Sequence, residues 1–287
     1  MAINDIPPAH CPQWLVLANS ALIAVGVLLW DATYILMTRR ALATKSYGMP
    51  LLALAINVSW EIVYLACVID TALETAGFMF WLVLDGGLVY TTVRFGPDDW
   101  RASSPWVGRH LGGLLALLVA VGCLGHYTFA AWWLAEPGRG SGDKTGKWWQ
   151  GQDRFDTGEM AFWSAAVSQL VLSAGSVAML LVRGHSGGTG FVIWLCRAMG
   201  SVCGMLLGNL LMWWYWPEAN SFIVNPFAVF LLGTALACDL IYPFLLWQIR
   251  RTEVVGPDGR LSSGRRLLEP DTVNVPDSTR HAKTKWS

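Results

Sequence analysis

The sequence predicts an all-α polytopic membrane protein, a bundle of seven transmembrane helices, and three observations carry that expectation. Of its 287 residues, 54% are hydrophobic and 14% are charged. The apolar residues gather into seven runs of bilayer-spanning length rather than alternating as in a soluble core. Lys and Arg collect on the connections at one side of those runs.

The first run, Trp14 to Met37, lacks a basic leader and a clear small-residue cleavage site, and it exceeds a signal peptide's apolar core, so it reads as a retained helix. The second, Met49 to Asp70, holds Glu61 near its middle. The third is Ala76 to Val93, the fourth Val107 to Leu134 and the fifth Met160 to Val182. The sixth, Phe191 to Trp216, carries Gly200, Gly204 and Gly208 on one face, a packing surface for a close neighbour. The seventh, Phe222 to Trp247, contains Pro243, which has no N–H for the carbonyl of Asp239 and so predicts a kink at that acid. Residues 1–250 then form one membrane domain. Residues 251–287 are polar, contain Gly, Pro and Ser without an apolar period, and are expected to be a disordered cytosolic tail.

Orientation follows from the basic residues. The first connection has Arg39, Arg40 and Lys45, the third has Arg94, Arg101 and Arg109, and the tail after Arg250 is basic. The opposite side carries such charge only in the longer fourth connection, with Arg139, Lys144, Lys147 and Arg154. The amino terminus is therefore expected to be lumenal or exterior and the carboxyl terminus cytosolic, in the endoplasmic reticulum if the host is eukaryotic. Twenty basic residues balance twenty acidic ones, so no global field points to nucleic acid. Five of the six cysteines lie in apolar runs as small packing residues.

Four acids fall inside the runs: Asp31, Glu61, Asp85 and Asp239. A charged carboxylate at a helix centre costs roughly 2.5 to 3.5 kcal/mol on insertion scales. Arg197 is the one base comparably deep, whether snorkelling or paired, so most of these acids are expected to be kept protonated by desolvation. Each has an aromatic neighbour at helical spacing: Tyr34, Tyr64, Trp81 and Tyr242 respectively follow or precede Asp31, Glu61, Asp85 and Asp239. Asn57 lies one turn before Glu61 and gives an interior stripe of Asn57, Glu61 and Tyr64. A structural reading, in which the acids only hold helices in register, stands beside the functional one. Interhelical hydrogen bonding accounts for Gln169, Asn209 and His126. Most tryptophans lie near run ends as an interfacial belt, whereas Trp30, Trp60, Trp81 and Trp213 are deeper, as core packing or as aromatic faces toward a cation.

Several functions are excluded. The seventh run has no Lys for a retinal Schiff base. The Asp98-Asp99 pair is followed by Trp100-Arg101-Ala102, which is no magnesium-diphosphate motif, and neither zinc spacing nor a phosphate-cradling glycine loop is present. No metal or cofactor is expected. What remains is acid chemistry in an apolar pocket: a carboxyl donates a proton to an epoxide or alkene, and a water-free site protects the resulting cation.

Lys45-Ser46-Tyr47-Gly48-Met49-Pro50-Leu51 leading to Asn57 and Trp60-Glu61, with Trp81 to Asp85, Gln169 to Ser173, Arg183-Gly184, Trp194 to Gly200 and Asp239 to Tyr242, resembles the fungal integral-membrane terpene cyclases of meroterpenoid and indole-diterpene pathways. The resemblance covers most of the membrane domain. It implies metal-independent cyclisation of a lipophilic prenylated aromatic or indole substrate, often terminally epoxidised, with Glu61 and Asp239 as the initiating acids. Asn57, Trp60, Tyr64, Asp31, Asp85, Trp81, Trp213 and Tyr242 are the candidates for substrate contact. The long fourth connection with Trp148-Trp149 and the extended tail depart from shorter members. Glu61 lies 12 residues from Met49 and Asp239 8 residues from Trp247, a depth difference of ~6 Å that suits one pocket. Asp239, beside its proline, is slightly favoured as donor. The competing reading is a proton-coupled transporter or seven-helix receptor for a lipophilic ligand, using the same acids as relay or ligand groups.

Overall fold

A computed structural model describes residues 4–264. Its helices are α1 (Leu15–Thr44), α2 (Leu51–Cys67), α3 (Ala72–Asp99), α4 (Pro105–Leu134), α5 (Thr157–Arg183), α6 (Phe191–Tyr215), the four-residue α7 (Pro217–Asn220) and α8 (Pro226–Arg250). Local chemistry sets many of these ends. Thr71 and Asp156 cap α3 and α5 by accepting from the N–H groups of Glu74 and Glu159. Pro105 and Pro226 open α4 and α8 where no N–H is needed, and Gly184, at φ +66°, ends α5 in the left-handed conformation.

The helices outrun the apolar segments at several ends. α1 continues past Met37 through Arg39 and Arg40, and α3 past Val93 to Asp99, because a long basic side chain can leave the apolar zone without breaking the helix. Eight α-helices occur among the described residues, one more than the apolar runs, since the four-residue α7 lies in the sixth connection. Six are long and apolar enough to cross a membrane by length and composition. α2 is shorter, at 17 residues, because the chain leaves the helix after Cys67.

Consecutive helices run in opposite directions, as hydrogen bonds between the connections establish. At the amino-terminal end, Ile6 N donates to Gly146 O (2.8 Å), Trp149 Nε1 to Val68 O (2.6 Å), and Lys144 Nζ to Ala219 O (2.7 Å). At the other end, Ser46 Oγ donates to Asp99 (2.8 Å), Arg183 Nη1 to Tyr47 O (2.8 Å), and Ser186 N to Glu253 (2.8 Å). α2 therefore runs from end to end like its neighbours. The broadest helix pairings are α2 with α4, α5 with α8, and α1 with α6. The central apolar cluster unites Tyr34, Met37, Leu54, Val58, Leu88, Leu172 and Ile193 from five helices.

Two features go beyond the reading of the sequence. The fourth connection is an ordered cap with a small hairpin, β1 (Trp148–Trp149) with β2 (Gln152–Asp153), turning through Gln150 and Gly151 at positive φ. Its lysines are buried. Lys144 Nζ bonds Asp156 (2.8 Å), Glu159 (2.6 Å) and Ala219 O, which uses all three of its hydrogens, and Lys147 Nζ bonds Asp5 (2.9 Å) and Asn220 (3.0 Å). The tail, expected to be without structure from residue 251, forms a second hairpin, β3 (Glu253–Val255) with β4 (Leu261–Ser263). It docks through Lys45 Nζ on Asp258 O (2.7 Å) and Arg260 on Asp98 (2.5 Å), contacts that composition alone does not announce. Residues 265–287, the rest of that tail, lie outside the described residues.

Candidate active site

The four intramembrane acids divide into two groups. In the first, Asn57 on α2 is the hub. Its Nδ2 lies 2.7 Å from Tyr34 Oη, 2.8 Å from Asp85 Oδ2 and 3.1 Å from Glu61 Oε1, joining α1, α2 and α3. Glu61 and Asp85 are 1% and 0% exposed. Each has one oxygen on the amide, while Glu61 Oε2 and Asp85 Oδ1 are buried with no hydrogen-bond partner among the described residues. Asp31 Oδ1 is in the same condition. These loose oxygens are notable because a buried polar atom without a partner costs about 1 to 3 kcal/mol.

An aromatic group adjoins this acid cluster. Trp60 stacks on Tyr64 with centroids 4.6 Å apart, and Phe78 lies 5.1 Å from Trp60 and 5.4 Å from Trp81. Trp60 Nε1 donates to Ser164 Oγ (3.0 Å), which also bonds Tyr64 Oη (2.7 Å), so both rings are oriented by α5. Tyr64 thus turns its hydroxyl to Ser164 rather than to Glu61, and the expected stripe is correct only for Asn57 and Glu61. Tyr34 likewise meets Asn57 rather than Asp31.

In the second group, Asp239 on α8 is held on both oxygens. Arg197 Nη2 donates to Oδ1 at 2.5 Å; Ser173 Oγ (3.0 Å) and Gln169 Nε2 (3.4 Å) donate to Oδ2. Arg197 Nη1 in turn donates to Ser176 Oγ (2.7 Å), and Ser201 Oγ donates to Gln169 Oε1 (2.9 Å). Both partners of the ion pair are buried, at 4% and 6% side-chain exposure, so the charges compensate each other inside the bundle. Of the two readings for Arg197, pairing is the one observed. Tyr242 lies with its ring 5.2 Å from the Arg197 guanidinium and its hydroxyl on Thr189 Oγ1 (2.8 Å), so it reaches Asp239 only through the arginine.

Of the predicted residues, Asn57, Glu61 and Asp85 share one hydrogen-bond group and Trp60, Tyr64 and Trp81 one ring group, with Asp31 beside Trp81; Asp239 and Tyr242 form the other group. Trp213 joins neither, packing instead with Phe162, Phe222 and Leu231 toward the amino-terminal end. Sequence reasoning passed over Tyr34, Ser173, Ser176 and Trp194 as site residues. The spacing of Gln169, Ser173 and Ser176 places three polar groups on one face of α5 and was the available signal.

A family profile of Pyr4-like transmembrane terpene cyclases matches residues 2–252 of the chain. Terpene cyclase ascF of Acremonium egyptiacum is 35% identical over 91% of this chain and 92% of its own length. The Pyr4-family terpene cyclase mfmH of Annulohypoxylon moriforme is 30% identical over 88% and 96%, and terpene cyclase andB of Emericella variicolor 30% over 79% and 86%. No solved structure matches the chain.

Proposed function

Because this chain belongs to the Pyr4-like transmembrane terpene cyclases, we propose that it cyclises a lipophilic prenylated aromatic or indole substrate, often bearing a terminal epoxide, by proton transfer from Glu61. The observation that carries the assignment is the contrast between the two acids expected to initiate the reaction. Glu61 accepts from Asn57 on one oxygen and keeps the other buried and unengaged, whereas Asp239 is clasped by Arg197, Ser173 and Gln169. A proton donor needs an oxygen free to meet the substrate. Asn57 N–H favours the carboxylate that donation leaves behind, and Trp60, Phe78 and Trp81 present ring faces to a travelling cation. Asp239, favoured in the sequence, becomes in this reading an ionised anchor for Arg197.

The reaction starts without a metal or a diphosphate leaving group in this proposal. The one adjacent acid pair, Asp98 and Asp99, is occupied by Arg101, Arg260, Arg183 and Ser46 at the carboxy-terminal end. We further propose seven crossings, α2 included, with the amino terminus lumenal and the carboxyl terminus cytosolic in the endoplasmic reticulum. The gathering of Arg39, Arg40, Lys45, Arg94, Arg101 and Arg109 at the carboxy-terminal end supports that orientation.

The test is expression in a host without such pathways, fed with epoxidised and non-epoxidised prenyl aromatics, with NMR of the products because cyclisation leaves mass unchanged. Glu61→Gln should abolish cyclised product while the protein keeps its unfolding temperature. Undiminished turnover by that variant removes Glu61 from the role.

A further inference from the structure

The Asn57 amide has two hydrogens and three oxygens around its nitrogen, those of Tyr34, Asp85 and Glu61. It therefore cannot give each oxygen a hydrogen of its own. Two carboxyls converge on this one neutral group, and neither forms an ion pair among the described residues. The intramembrane guanidinium, Arg197, is taken by Asp239, and the imidazole of His126 faces the Tyr64 ring, with centroids 6.5 Å apart. Each carboxyl is held the same way, with one oxygen on the amide and the other, Glu61 Oε2 or Asp85 Oδ1, buried and unbonded. At rest, two full negative charges on one amide in an apolar interior are far more costly than one charge and one proton; during the reaction the carbocation itself compensates the second charge.

We propose that Glu61 and Asp85 are a single proton-sharing pair bridged by Asn57, in which Glu61 delivers the proton and Asp85 recovers it. The proposal rests on the assignment of Glu61 as donor and adds the fate of the proton. Cyclisation is an isomerisation, so for the proton donated at the start the last cation must release another from one of its C–H bonds. In the first half, the Glu61 O–H bond breaks and the proton bonds to the oxirane oxygen. The C–O bond opens with its electron pair on that oxygen, and an alkene pair forms the new C–C bond. In the second half, a C–H bond beside the final cation breaks, its electrons form the product alkene, and the proton passes to the carboxylate of Asp85. Transfer within the pair then restores Glu61, and no co-reactant is consumed. An acid with no partner carboxyl would have to recover its own proton from the far end of the folded substrate.

Asp85→Asn keeps the size and an acceptor oxygen for Asn57 but cannot carry the proton; Asp85→Glu keeps the carboxyl. Full-length protein in lipid nanodiscs is read in two ways. Infrared spectra without substrate follow the C=O stretch of protonated carboxyls, and steady-state kinetics follow kcat, KM and their pH profiles. The expected result is that Glu61→Gln removes a protonated-carboxyl band, and that Asp85→Asn shifts the same band. Asp85→Asn should also lower kcat by about 100-fold with KM unchanged and reduce a two-step pH profile to one step, and Asp85→Glu should restore most of the rate. A purely structural Asp85 would lower the unfolding temperature in the Asn variant and leave band, kcat and pH profile as in the parent, which overturns the pairing. Because the infrared measurement needs no turnover, it separates failure of the pair from failure of Glu61 as donor, which an active Glu61→Gln enzyme would reveal.

Discussion

Trp194 Nε1 donates to the main-chain carbonyl of Asp239 at 2.8 Å, supplying the hydrogen that Pro243, one turn later, cannot. An indole on α6 thus completes the backbone of α8 at the residue whose carboxylate also binds α6 through Arg197. The proline is compatible with an unbroken α8 because its missing donor is replaced from a neighbouring helix.

Trp194→Phe should therefore destabilise the protein by about 1 to 3 kcal/mol, the cost of a stranded buried acceptor plus a small packing change. In a Pro243→Ala background, where residue 243 regains its N–H, the same substitution should cost measurably less. Thermal unfolding of the four proteins in detergent gives the cycle, and strict additivity would show that the indole bond does not replace the missing helical one.

Arg197→Leu should be among the most damaging single changes, at about 3 to 5 kcal/mol, because it leaves Asp239 charged and uncompensated in the interior. Adding Asp239→Leu should recover much of that loss, and product with it, since Asp239 serves as the anchor and Glu61 as the donor. Unfolding temperatures and product NMR on the two variants check the separation of stability from chemistry.

The cap at the amino-terminal end predicts a pH response. Burial pushes the Asp156 carboxyl up, but Lys147 and Lys144 pull harder and leave it below the ordinary 3.8; burial would lower Lys147, but Asp156 and Asp5 outweigh it and hold it above 10.5. A carboxyl depressed in the folded state stabilises fully above its unfolded value and loses that contribution as pH falls through the folded one. The stability gap between the parent protein and Asp156→Asn should be wide at neutral pH and close below 3.8. Lysine works in the opposite sense, so the gap to Lys147→Met should close only as pH rises beyond 10.5. Unfolding measured across pH reads both.

The crossing of α1 and α6 yields a contrast between two glycines. A Cβ at Gly26 would lie 2.9 Å from the Gly204 backbone, where nothing flexible can yield, whereas a Cβ at Gly204 would sit 3.7 Å from Gly26 Cα, in ordinary contact. Gly26→Ala should cost about 1 to 3 kcal/mol, and Gly204→Ala far less. Equal unfolding temperatures would contradict the close approach.

Apolar length and basic bias made the helices legible, the depth of the four acids marked them as candidates, and the family resemblance singled out Glu61 and Asp239 among them. Their partners were not legible. Asn57 meets Asp85 28 positions away and Arg197 meets Asp239 42 positions away, and such meetings depend on which helices are neighbours, which a 3.6-residue period does not encode. Helical spacing paired Tyr64 with Glu61 and Tyr34 with Asp31; tertiary packing gave both hydroxyls other partners. The burial of Lys144 and Lys147 was not legible either, because it depends on a matching set of acids folding over the connection.

Lys144 draws its ligands from Asp156, Glu159 and the carbonyl of Ala219, and Lys147 adds Asn220. A growing polypeptide reaches those last two only after its sixth helix has been made. During biogenesis both ammonium groups thus wait, hydrated, for a late-arriving segment, and closure of that end is a finishing step that no nascent chain stopping short of position 219 can take.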